Sequence, residues 1–191
     1  MARDMTKGRI LPQMTAFAIP LILGNLFQIL YNATDSIIVG KFVGDDALAA
    51  VGTAGPIMNM AILFISGMCM GAGILMSTLY GAKDMKNLEK QISTTLIGGL
   101  VFSLLIAFLM IVFAVPILRL INSPEEIIGS AAIYLRVVFL GLIFTFVYNF
   151  LANTLRALGD SRTPLYFLVI SAFLNVAGDL LFVVTLKLGV M

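Results

Sequence analysis

Residues 14–39 read MTAFAIPLILGNLFQILYNATDSIIV, and the fold turns on how this stretch is read. It carries a single charge, Asp35, in an otherwise apolar or small setting. A run longer than about 18 residues with so little charge predicts a membrane-spanning helix. Asn25, Gln28, Asn32 and Asp35 are spaced three, four and three residues apart, so on a helix they form one polar stripe. A carboxylate in the middle of such a helix costs roughly 2.5–3.5 kcal/mol on insertion scales and usually faces a bundle interior. The plainer alternative is a carboxylate near the helix end that reaches interfacial water; the stripe, which gives Asp35 polar company, argues for the interior. Pro20 lies inside the stretch and is expected to kink it, because it supplies no amide hydrogen and crowds the preceding turn.

The rest of the chain agrees with a bilayer setting. Of its 191 residues 60% are hydrophobic and 12% charged, and the mean hydropathy is +1.06. A soluble domain is nearer half apolar and a quarter charged. There is one cysteine, Cys69, and no histidine, so disulfides and the common zinc sites are not expected. The basic N-terminus before an apolar run is reminiscent of a signal peptide, but the run is too long and no small-residue cleavage site follows it. Five spanning segments are expected, at about residues 14–39, 56–80, 92–118, 127–155 and 165–186, giving an all-α membrane protein. Gly67, Gly71 and Gly73 mark the second segment, where the Gly67–Gly71 spacing permits close helix contact. Gly81 is expected to end that helix and Asp84 to cap the next. Ser123, Pro124 and Glu126 read as a capping box with proline at the first helical position, and Gly159–Pro164 as a turn from which Pro164 opens the fifth helix. No repeat, low-complexity tract or soluble domain is apparent.

Basic residues set the expected orientation. Arg3, Lys7, Arg9, Lys83, Lys86, Lys90, Arg156 and Arg162 are eight of the twelve, and all fall on one side of the predicted spans. Lys41, Arg119 and Lys187 fall on the other, with Arg136 near them. The positive-inside rule then predicts a cytoplasmic N-terminus. Arg136 and Arg156 are about 30 Å of helix apart and bracket the fourth span. This leaves two intramembrane charges, Asp35 and Asp179, placed about 9 and 12 Å below the outer lysines by helical rise. Two carboxylates on separate helices thus share one depth. Asn175 stands one turn before Asp179 on the same face and offers an amide partner to a charge or a cation. Thr145, Asn149 and Asn153 form a further polar face on the fourth helix, which serves either the cavity or, more simply for Asn153, helix adhesion.

These residues carry a family likeness. Ile19–Asn25, Asn32–Asp35 followed by Val39–Gly40, Asp46–Gly52, Leu155–Pro164 and Asn175–Asp179 together resemble, in order and spacing, the first half of the multidrug and toxic compound extrusion (MATE) transporters. The resemblance implies two six-helix lobes facing a central cavity and cation-driven export of organic, often cationic, compounds from a prokaryotic plasma membrane. Residues 1–191 would be most of the N-lobe, without its sixth helix and without the C-lobe, which becomes the expected partner beside the lipid bilayer and a small organic substrate. It further implies a cation site lined by Asp35, Asn175 and Asp179, the trio already singled out by spacing and depth. Asn149 and Tyr134 resemble supporting polar positions, and Gln28, Asn32 and Asn153 complete the expected polar lining. The coupling ion is a proton or sodium; if sodium, Asp35, Asn175 and Asp179 are its expected ligands.

Other classes fit less well. A lipid or lipid-linked sugar flippase of the same superfamily would be expected to display arginines or lysines toward a phosphate headgroup, whereas both intramembrane charges here are acidic. A non-transporting membrane scaffold is the second alternative, since one lobe is not a transporter. No phosphate-loop motif supports an ATP-driven pump. No nucleophile–base pair supports an enzyme, and neither a cofactor nor a nucleic-acid partner is expected.

Overall fold

The computed structural model describes residues 10–42, 45–179 and 181. Within them the chain forms α1 (Ile10–Phe42), α2 (Asp45–Gly81), α3 (Met85–Leu120), α4 (Glu125–Leu140), α5 (Leu142–Ala157) and α6 (Arg162–Asp179), with no strand among the described residues. Hydropathy and helix length part company here. α2 starts at Asp45, well before the expected Pro56, and α3 starts at Met85 rather than residue 92. A helix satisfies its own backbone hydrogen bonds in any solvent, so it runs on past the apolar window that marks the bilayer. The 36 residues of α3 rise about 54 Å, against a hydrocarbon core of about 30 Å.

By length and composition, helices over Leu11–Thr34, Val51–Gly81 and Met85–Leu120 suit a membrane crossing. The expected fourth span is two helices, α4 and α5, bent by 41° at Gly141. There the amide of Gly141 is shared between the Val138 and Val137 carbonyls, at 3.0 and 3.4 Å. A Cβ at this position would lie 3.2 Å from the Val138 oxygen, tighter than ordinary contact, so the break falls where no side chain exists. The fifth expected span corresponds to α6, a shorter apolar helix; the part of it beyond Leu181 lies outside the described residues.

Three helix ends share one device. Lys83, Asn122 and Gly159 take left-handed φ values of 59°, 55° and 86°. The amide after each reaches back to the helix, Asp84 to the Leu79 carbonyl at 3.0 Å, Ser123 to Leu118 at 3.1 Å and Asp160 to Leu155 at 2.9 Å. Gly81 is the last residue of α2, but the left-handed position falls two residues later, on a lysine. Asp84 caps α3 as expected, its carboxylate accepting from the Asn87 amide at 3.2 Å. The expected box at Ser123 does not form. Pro124 itself occupies the cap position, and the buried Ser123 hydroxyl has no hydrogen-bond partner. α6 begins at Arg162, two residues before Pro164, because the Asp160 carboxylate receives the Arg162 and Thr163 amides, both at 3.1 Å.

α2, α3, α4 and α5 pack together around Ile65, Met76, Leu118, Leu135, Phe139 and Phe146, all fully buried. The tightest approach is between α3 and α5, where the Phe146 ring lies over Gly99 so closely that a Cβ there would stand 2.1 Å from it. Gly73 does the same on a gentler scale against Asn153 of α5, at 3.4 Å. Gly67 and Gly71, which the spacing singled out, touch no neighbouring helix. α1 pairs chiefly with α6 at the side of this cluster, and among its described side chains only Pro20 is buried. Many large apolar side chains of α1, such as Ile22, Leu26 and Ile29, are exposed.

Candidate functional site

The polar stripe of α1 and that of α6 meet. Gly24 of α1 sits beside Leu165 and Leu168 of α6, where an added Cβ would make ordinary contacts of 3.7 and 3.5 Å. One turn on, Gln28 joins Leu168, Ser171, Ala172 and Asn175 of α6 and Tyr148 of α5 around a cavity of about 180 Å³. Numbers rise together along both helices, so α1 and α6 run parallel. The interface has Gly24 against Leu165 and Leu168 where the helices touch, and polar residues where the cavity opens. Inside it, the Asn175 amide is 3.5 Å from the Ser171 hydroxyl, the outer limit of a hydrogen bond.

Gln28 and Asn175, expected from the sequence, are therefore brought to one cavity. Asn25 and Asn32 lie on exposed parts of α1. The side chains of Asp35 and Asp179 lie outside the described residues; their backbones continue α1 and α6 as helix. The parallel register can be continued at equal rise toward them. Gln28 is level with Ser171 and Ala172, and seven residues further along each helix stand Asp35 on α1 and Gly178 and Asp179 on α6. At equal rise the two aspartate positions reach the same height, about 10 Å beyond the Gln28 level.

Asn149 and Asn153 face a different helix. Asn149 accepts a hydrogen bond from Ser66 of α2 at 3.1 Å and donates to the Thr145 carbonyl at 2.9 Å. Asn153 donates to the Asn149 carbonyl at 2.8 Å and packs on Gly73. Asn149 thus joins α5 to α2 by a hydrogen bond and Asn153 by packing, as polar residues join helices in a membrane. Tyr134 of α4 is half-buried against the core formed by α2–α5. Arg136 is exposed, and its Nε reaches the Ile111 carbonyl of α3 at 3.4 Å.

Two lining residues were missed in the sequence. Ser171 stands four residues before Asn175, as Asn175 stands four before Asp179, so the α6 stripe extends a turn further than the pair that drew notice. Tyr148 had a weaker signal, since of its neighbours on that face of α5 Phe144, Leu151 and Ala152 are apolar and only Thr145 is polar. Its place became visible only once α6 lay across α5. Outside the bilayer, at the α5–α6 turn, burial alone would raise the Asp160 carboxyl; hydrogen bonds from the Thr163 amide and hydroxyl and the Arg162 amide outweigh it and hold it below its ordinary value.

Comparison with known proteins agrees with this arrangement. The MatE family matches residues 20–181. The probable multidrug resistance protein YpnP of Bacillus subtilis (strain 168) is 34% identical over 191 residues, 99% of this chain and 42% of that protein. The probable multidrug resistance protein YoeA of the same organism is 34% identical over 172 residues, covering 90% of this chain and 37% of that protein. The crystal structure of MATE in complex with MaD3S matches with a TM-score of 0.92 at 26% identity, over 100% of this chain and 43% of that one. The chain spans less than half the length of the relatives it matches. It belongs to the MatE family, the multidrug and toxic compound extrusion transporters, and corresponds to their N-terminal half.

Proposed function

We propose that this chain supplies one lobe of a secondary active transporter that exports organic, cationic compounds across a prokaryotic plasma membrane in exchange for protons or sodium ions. The observation that carries the reading is the parallel packing of α1 on α6, which puts Gln28 and Asn175 on one cavity; continued at equal rise, it supports a common level for Asp35 and Asp179. Two carboxylates at one depth in low dielectric do not both stay charged; one takes a proton, or a metal cation neutralises the pair. Asn175 and Ser171 offer neutral oxygens on the same face of α6, and Gln28 offers one on α1. A cationic substrate competes for the same negative charge, so each ligand's binding weakens the other's, which is what exchange requires.

Cation binding acts on α1, where Pro20 removes one backbone hydrogen bond and makes the helix easy to bend. A change in the packing of α1 then reshapes the cavity and releases the substrate. The test is transport of a fluorescent organic cation in vesicles holding this chain with a complementary C-terminal lobe, with proton and sodium gradients imposed separately. Export driven by either gradient supports the reading. Sodium-driven export lost in Asn175→Ala, with proton-driven export retained, would assign the site to the metal ion. Export driven by neither gradient would refute the exchange.

A further inference from the structure

A second cavity, of about 430 Å³, lies at the end of the bundle where α1 begins and α2 and α5 finish. Its wall is mostly apolar: Phe17 of α1, Met70 and Ile74 of α2, and Ala157 of α5. Among the described residues its charged lining residue is Arg156, in the last turn of α5, and none that lines it is acidic. The Arg156 Nε is buried and has no hydrogen-bond partner. Its position near the carbonyl end of α5 is favourable for a cation. The free turn carbonyls do not satisfy it, however, since those of Thr154, Leu155 and Arg156 bond to the amides of Leu158, Asp160 and Gly159. An Nε–H held in an apolar wall without an acceptor leaves room for an anion's oxygen. Ser77, Tyr80 and Asn153 add hydroxyl and amide groups to the same lining.

On the apolar side, Met70 and Ile74 are 62% and 61% exposed, so the cavity opens along the surface that a membrane helix turns to its surroundings. Charge at one end and an apolar wall leading away from it suit an amphiphile. We propose that this cavity binds the phosphate headgroup of an anionic membrane phospholipid on Arg156, with the acyl chain lying along Phe17, Met70 and Ile74. The site is separate from the α1–α6 cavity and does not rest on the exchange reading.

The experiment is native mass spectrometry of the 191-residue chain in detergent, with dioleoyl phosphatidylglycerol, dioleoyl phosphatidylcholine or inorganic phosphate added separately. The expected result is a one-to-one phosphatidylglycerol adduct at least fivefold more abundant than the phosphatidylcholine adduct. Arg156→Gln lowers it about tenfold, as expected for the loss of a charge-assisted contact. Arg162→Gln, six positions along at the exposed start of α6, leaves it unchanged. Met70→Trp fills the apolar channel and lowers the adduct without touching the charge. Arg156→Lys retains it within about threefold, which separates loss of charge from loss of folding. Equal adducts for the two lipids, an undiminished adduct in Arg156→Gln, or an equal loss in Arg162→Gln would overturn the proposal. So would an adduct with inorganic phosphate alone as abundant as that with lipid.

Discussion

Gly98 and Gly99 are neighbours with opposite demands. A methyl group at 99 meets the Phe146 ring at 2.1 Å, and at 98 meets nothing within 4 Å. Gly99→Ala should therefore destabilise the fold by about 1–3 kcal/mol, as overpacked cores do. Gly98→Ala should be neutral or stabilising by up to about 1 kcal/mol, because alanine favours a helix interior over glycine. Thermal unfolding in detergent checks both, and equal effects would contradict the packing of α5 on α3. At the α5–α6 turn, Asp160→Ala removes the acceptor for two backbone amides and should cost about 1 kcal/mol. Because the folded-state carboxyl is held below its ordinary value, its contribution is present above the ordinary carboxylate range and is lost as pH falls through the lowered value. The wild type should lose more stability than Asp160→Ala between neutral pH and pH of about 3. At this scale, the Asp84 cap was legible because an acceptor stands just before an apolar run and needs nothing from elsewhere. Ser123–Pro124 was misread by one residue, since two adjacent residues both suit a helix start. Gly67–Gly71 was favoured over Gly73 and Gly99 because spacing does not say which side of a helix meets a partner.

At the scale of elements, the α1–α6 pairing is what places the candidate site. Its register has a direct check. Gly24→Cys with Leu168→Cys, in a Cys69→Ala background, should form a disulfide under mild oxidation, since these positions touch. Gly24→Cys with Asn175→Cys should not, because seven residues of helix separate the partners by about 10 Å and a disulfide needs Cα atoms within about 7 Å. The reverse pattern would remove the shared level of Asp35 and Asp179. The apolar segments were legible from hydropathy, because the bilayer selects composition over a whole helix. The ends were not, because a helix continues beyond the bilayer on its own hydrogen bonds. The break at Gly141 was also hidden, since a lone glycine in an apolar run is common and only the Val138 carbonyl beside it shows why the bend falls there.

For the whole molecule, the question is whether the two acidic positions act as one. Their stripes were legible because a polar residue inside an apolar helix stands out by type and by three- or four-residue spacing. Which helices bring the stripes together was not, since that depends on Gly24 meeting Leu165 and Leu168 and on α6 lying across Tyr148. Left unpaired and charged, two aspartates would cost roughly 5–7 kcal/mol by the insertion scale, comparable to the stability of a domain. Replacing either by asparagine should therefore preserve the fold while removing the coupling charge. The deciding measurement is gradient-driven export of a fluorescent organic cation in vesicles containing this chain with its complementary lobe, comparing wild type with Asp35→Asn and Asp179→Asn at matched protein levels. The account predicts loss of coupled export in both variants, by at least about tenfold, the cost of a missing charge interaction of about 1.4 kcal/mol or more. Export unchanged from wild type in both would contradict it.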